Sequence, residues 1–176
     1  GTMEIKEYQD EIKNLTQEER LSVSKLGIRL GAKYLFMPNL LKKNAIELNA
    51  LLWKVFYESD IPNKYPLPSD GRVSFFCKIK IPKTYWNAIG YILVKNFALR
   101  VDVFEKVFFL ARQKIKFGPF IESSDLMNPM GCNAEDLSNI LYYCGFDNFS
   151  LGNQKKLFFI IQKKSSKYEF KIKTNK

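Results

Sequence analysis

Six apolar residues, Val101, Phe104, Val107, Phe108, Ala111 and Ile115, recur at helical spacing. That stripe predicts an amphipathic helix whose apolar face must be covered by the chain that follows. Asp102 and Glu105 suit its positive N-terminal end. The following chain is short and heavily punctuated. Gly118-Pro119-Phe120-Ile121 predicts a brief extended piece, Ser124 begins a short helix, and Gly131-Cys132-Asn133 makes a turn. Asn133 caps a further helix that turns Leu137, Ile140, Leu141 and Cys144 inward and stops at Gly145. Two runs, 146–151 and 157–161, then bracket Gly152-Asn153-Gln154-Lys155-Lys156 as a hairpin with a basic tip. Helix, strand, helix, turn, helix, hairpin is the order of a winged helix. The expected fold class is α+β, with mixed helices, short strands and a winged-helix-like C-terminal lobe.

Upstream, Thr16 and Glu19 form a capping-box pattern that starts a helix. Residues 3–14, with Ile5, Tyr8 and Ile12 at helical spacing, read as a lead-in helix, and Gly1-Thr2 before Met3 as an expression remnant. Residues 28–37 alternate as a strand or bent hairpin closed by Pro38. Asn39 is placed to cap a long helix, with Leu40, Leu41, Leu48, Leu51, Leu52, Val55 and Phe56 as its core stripe. Pro62, Pro66 and Pro68 mark a linker. Beyond it, 72–81 reads as a strand, 83–88 as a short helix and 91–99 as another strand. The expected organisation is a lead-in at 1–14, a first lobe at 15–62, a linker at 63–71, a second lobe at 72–164 and a basic tail at 165–176.

Charge and composition limit the chemistry. Lys+Arg of 28 against Asp+Glu of 18 gives a net charge of +10, which favours a polyanionic partner. Zero histidines removes the usual general base, the Ser-His and Cys-His dyads and imidazole zinc sites. Cys77, Cys132 and Cys144 are odd in number and lack CxxC spacing, so they read as small buried hydrophobes in a reducing compartment. The first residues are acidic and polar, and no apolar run approaches the ~20 residues of a membrane span. A cytoplasmic protein with no membrane partner is expected.

The cationic candidates cluster late. Lys155, Lys156, Lys163 and Lys164 are the first choices for holding a nucleic-acid backbone, joined by Arg112, Lys114 and Lys116 at the end of the striped helix. Phe158, Phe159, Tyr168 and Phe170 interleave with the late lysines in the pattern expected for single strands, although Phe158 and Phe159 sit in an apolar run and read as core. Glu135 and Asp136 lie where a recognition helix would meet phosphate, so base reading by Ser138 or Asn139 is disfavoured. The run from Gly27 to Lys33 is not a phosphate loop: its glycines are too close together, and Tyr34 follows the lysine where Ser or Thr is needed.

Several motifs recur in an order that points further. They are Leu15-Thr16-Gln17-Glu18-Glu19-Arg20, Leu26-Gly27-Ile28-Arg29-Leu30-Gly31, Leu35-Phe36-Met37-Pro38-Asn39-Leu40-Leu41 and Leu51-Leu52-Trp53. Gly71-Arg72-Val73-Ser74, Gly90-Tyr91, Arg100-Val101-Asp102, Met130-Gly131-Cys132, Glu135-Asp136-Leu137 and Gly145-Phe146 follow. Over residues 15–149 this set resembles the region downstream of the motor in alphaproteobacterial helicases similar to the mitochondrial degradosome RNA helicase. The resemblance implies a C-terminal accessory domain with no catalytic residue or cofactor of its own. ATP and magnesium would belong to motor lobes whose motifs are absent here. Single-stranded nucleic acid, RNA favoured, and the motor lobes are its expected partners. The competing expectation is a protein-interaction module that docks a nuclease or those motor lobes.

Overall fold

A computed structural model of the chain describes residues 1–57, 65–69, 71–150 and 157–162. Three small antiparallel sheets and seven α-helices make a mixed α+β fold among these residues. Strand β1 (Thr2–Glu4) lies beside β3 (Tyr34–Phe36), which also pairs with β2 (Arg29–Leu30). The expected lead-in helix over 3–14 is instead this strand, a 3-10 turn at Ile5–Tyr8 and helix α1 (Gln9–Asn14). Edge pairing wins over helical spacing because Thr2 can bury itself there, donating its hydroxyl to Leu35 O at 3.0 Å. Thr2 is thus packed into the fold. Helix α2 (Gln17–Lys25) starts on the Thr16–Glu19 capping box, both halves of which are formed.

Helix α3 (Lys43–Phe56) follows a 3-10 turn at Pro38–Leu41 rather than a cap by Asn39. It buries Ile46, Ala50 and Trp53, spaced four and three residues apart. Trp53 stands edge-on to Tyr65 and Tyr85, and its indole N–H donates to Thr84 Oγ1 at 3.3 Å. Most of the expected core stripe faces out: Leu48, Leu51, Leu52, Val55 and Phe56 are 55–79% exposed. The helix carries apolar residues on two faces, and the face with the tryptophan is the one that meets its neighbours.

Strand β4 (Ser74–Phe76) is shorter than the strand expected over 72–81. After helix α4 (Lys83–Ile89) comes a hairpin of β5 (Tyr91–Val94) and β6 (Phe97–Arg100), joined at Lys95-Asn96 with Lys95 at φ 53°. Residues 91–99 read as one strand in the sequence, because both strands are buried on both faces and leave no alternation. The sheet order is β4-β6-β5. Phe97 and Leu99 face one core while Ala98 faces the other, as the two-residue period of a strand requires.

The first core gathers around α5 (Val101–Lys114) and α7 (Ala134–Cys144); the second is an aromatic cluster of Trp53, Tyr65, Tyr85, Trp86 and Tyr91. Between α5 and α7 lie β7 (Phe120–Ile121) and the short helix α6 (Ser124–Met127). The hairpin β8 (Phe146–Ser150) and β9 (Leu157–Ile161) completes a sheet of order β7-β9-β8. Asn133 caps α7 by accepting from Asp136 N at 2.8 Å, and Gly145 ends it at φ 94°. The cores do not respect the boundary at 63–71. Tyr65 is buried, stacks on Tyr85 at 4.6 Å and joins α3 to α4 across that stretch.

Candidate nucleic-acid interface

The expected basic residues differ in how free they are. Lys114 pairs with Asp125 at 3.0 Å. Asp125 is held below the usual carboxylate range first by its hydrogen bond to Ser123 and then by Lys114. Half-exposed, the ion pair contributes less than about 1 kcal/mol, yet it draws Lys114 toward the protein. Arg112 lies with its guanidinium 5.8 Å from the centre of the Phe108 ring and is exposed. Lys116, also exposed, donates to Gln113 Oε1 at 3.1 Å within its own turn. Lys155, Lys156, Lys163 and Lys164, and the Tyr168 and Phe170 that follow them, lie outside the described residues.

Three residues that sequence periodicity passes over sit beside these cations. Lys106 is exposed on α5, Phe109 is 59% exposed, and Phe117 is 93% exposed in the 3-10 turn Ile115–Phe117 that extends the helix. Lys106, Phe109, Arg112 and Lys116 recur at intervals of three, three and four, so they share one outward side of the helix. The signal is present in the sequence: Phe109 is the one phenylalanine of α5 that falls off the apolar stripe.

The outer side of α7 offers less. Glu135 is exposed at its start, Asp136 follows, and Ser138 Oγ accepts from Asn148 Nδ2 at 2.7 Å. An acidic first turn and an engaged serine make a poor reader of bases. The late aromatics divide as their apolar run implies. Phe159 is fully buried, and the half-buried Phe158 stacks on Phe149 at 5.5 Å.

The glycine loop between β2 and β3 has a different occupant from phosphate. Ala32 N donates to Glu105 Oε2 at 2.6 Å, and Lys33 N and Tyr34 N donate to Glu105 Oε1 at 2.8 Å each. The amides that could cradle an anion therefore hold the carboxylate of α5. Gly31 is required by this close approach, since a Cβ there would collide with the Glu105 carboxyl and stand 2.7 Å from Tyr34 O. Next to the loop, Lys33 Nζ donates to Tyr143 O at 2.6 Å, and the Tyr34 and Tyr143 hydroxyls hydrogen-bond each other. Lys83 pairs with Glu4, tying α4 to β1. These contacts join β1, the β2–β3 loop, α4 and α7 to one another.

Among the described residues no group of three or more His, Cys, Asp or Glu side chains is placed to hold a metal ion. Among them, too, no helix is long and apolar enough to cross a membrane. Comparison with family models, with curated proteins and with solved structures found no match.

Proposed function

We propose that this chain is an accessory nucleic-acid-binding domain of an ATP-dependent helicase, holding single-stranded RNA, or DNA, close to motor lobes that carry the ATP and magnesium. The observation that carries this reading is the exposed cationic row Lys106 and Arg112 on α5 and Lys116 in the 3-10 turn that follows it, in a chain of net charge +10. Lys155, Lys156, Lys163 and Lys164 add positive charge on either side of β9 in the sequence. The order α5, β7, α6, α7, β8, β9 with a β7-β9-β8 sheet supports a winged-helix-like description of residues 101–162. Three cysteines without a disulfide suit a cytoplasmic setting.

The charge-reversal variant K155E/K156E tests the lysine assignment. It should weaken single-strand binding and flatten the salt dependence, by roughly 0.7 in slope for each phosphate that is no longer neutralised. Affinity and slope equal to wild type would reject those two lysines.

A second reading, a protein-interaction module that docks the motor lobes or a nuclease, is favoured by one specific observation: the exposed apolar side of α3. Leu52, Val55 and Phe56 border a shallow groove of about 510 Å³ there. Under this reading L52E/V55E would abolish co-sedimentation with the separately expressed motor lobes and leave nucleic-acid affinity unchanged. Undiminished co-sedimentation of that variant would reject it.

A further inference from the structure

The outer side of α5 combines two features that a patch serving phosphate alone does not need. Exposed phenyl rings are interspersed among its cations: Lys106, Phe109, Arg112, Lys116, Phe117. At 59% and 93% exposure, Phe109 and Phe117 leave large apolar faces in water with no partner ring among the described residues. The other phenylalanines of α5, Phe104 and Phe108, are buried and in contact with rings. From Lys106 to Lys116 the row extends ~15 Å along the helix, the span of a few nucleotides.

A shallow groove of about 430 Å³ opens beside Phe109, between the β2–β3 hairpin and α5. Arg29, Phe36 and Lys106 line it, and so do two acids. Both acids are already satisfied. Asp102 accepts two hydrogen bonds from the Arg100 guanidinium, at 2.7 and 2.9 Å, and Glu105 accepts the three loop amides. The groove therefore presents an aromatic wall beside Arg29 and Lys106, and its two carboxylates are engaged by Arg100 and by the loop amides rather than by these two cations.

We infer that this side of α5 is a base-stacking platform for unpaired nucleotides, with Phe109 and Phe117 taking base faces while Lys106, Arg112 and Lys116 hold the backbone between them. Stacking needs a free base face, which a duplex does not offer, so the platform selects single strands over duplex. This rests on the nucleic-acid reading above and deepens it by naming the side chains that take the bases and so select unpaired strands. Charge complementarity favours a polyanion over an apolar protein partner, because every charged residue of the row is positive.

The test uses the whole chain and a single-stranded oligonucleotide carrying 2-aminopurine, whose fluorescence is quenched when the base stacks. Wild-type protein should bind and change the 2-aminopurine signal. F109A/F117A should weaken single-strand binding about tenfold or more, given the energy usual for one base on one ring. It should also lose the fluorescence change, while weak duplex binding stays the same. F109Y/F117Y should restore both. A thermal melt of F109A/F117A equal to wild type would show that the loss is local, as expected for two exposed side chains. Single-strand affinity and fluorescence unaltered in F109A/F117A would overturn the platform and leave the nucleic-acid reading standing. Equal loss for single strand and duplex would overturn the platform too, by reducing the row to charge. No binding by wild type even at low salt would overturn both.

Discussion

Glu105 shows how much one side chain can organise. Its carboxylate accepts three backbone amides of the β2–β3 loop, anchoring the N-terminal sheet to α5. Removing it leaves the buried Tyr34 amide and two less buried amides without their acceptor, so E105A should cost about 2–3 kcal/mol in urea unfolding, read as a lower midpoint at unchanged slope. E105Q should cost less, because one amide oxygen still accepts while the NH₂ group meets a donor. A midpoint for E105A within experimental scatter of wild type would refute this anchoring role. The sequence suggests only that Glu105 suits a helix N-terminus. Its partner amides lie more than 70 residues away, and no local pattern records such a contact. The cysteines are a second residue-level case. Burial pushes the Cys132 thiol up to about 11 and the Cys144 thiol up to about 12. Both should therefore react slowly with a disulfide reagent at pH 8, with rates that rise steeply only on unfolding. Rapid labelling of Cys144 in native protein would contradict the packing around α7.

At the scale of elements, local chemistry is legible where a cap or stop decides the outcome. Thr16, Glu19, Asn133 and Gly145 act within one turn of their own position, and the structure uses all four. Choice of face is less legible. In α3 the larger aliphatic residues outnumber the buried set, and hydrophobicity alone favours the exposed side. The burial of Trp53 depends on Tyr65 and Tyr85, which arrive from later in the chain. Substitution reports the face directly. W53A should cost about 3–5 kcal/mol, whereas L51Q should change stability by no more than about 0.5 kcal/mol. The reverse ranking in chemical denaturation would restore the sequence-derived stripe as the core. The basic-aromatic row on α5 is half legible: its cations stand out in the sequence, and its rings do not, because phenylalanine is read as core by default.

Across the whole molecule, the β5–β6 hairpin is wedged between two cores, and that joins segments the sequence divides at 63–71. Ala98 and Leu99 are adjacent in the chain and face opposite cores, so neither core can open without exposing the shared sheet. The described fold should unfold in one cooperative transition. Its alkaline limit follows from buried phenols. Burial raises the Tyr34 and Tyr85 hydroxyls well above their ordinary range and Tyr91 up to about 12. Above pH ~10 an unfolded tyrosine gives up its proton while these three keep theirs. The unfolded state then binds fewer protons, so stability falls as pH rises, by up to about 1.4 kcal/mol per pH unit for each group. Below pH ~9 the phenols contribute no slope. Urea midpoints that stay level from pH ~9 to ~11.5 would show that these tyrosines are not buried as described.

The proposed function rests on charge meeting a strand. The most direct measurement is the affinity of the intact chain for one labelled sequence as single-stranded RNA, single-stranded DNA and duplex, over a salt series. The account predicts micromolar or tighter single-strand binding at low salt, weaker duplex binding and a steep loss of affinity as salt rises. Absence of binding at low salt, or affinity that does not respond to salt, would contradict it.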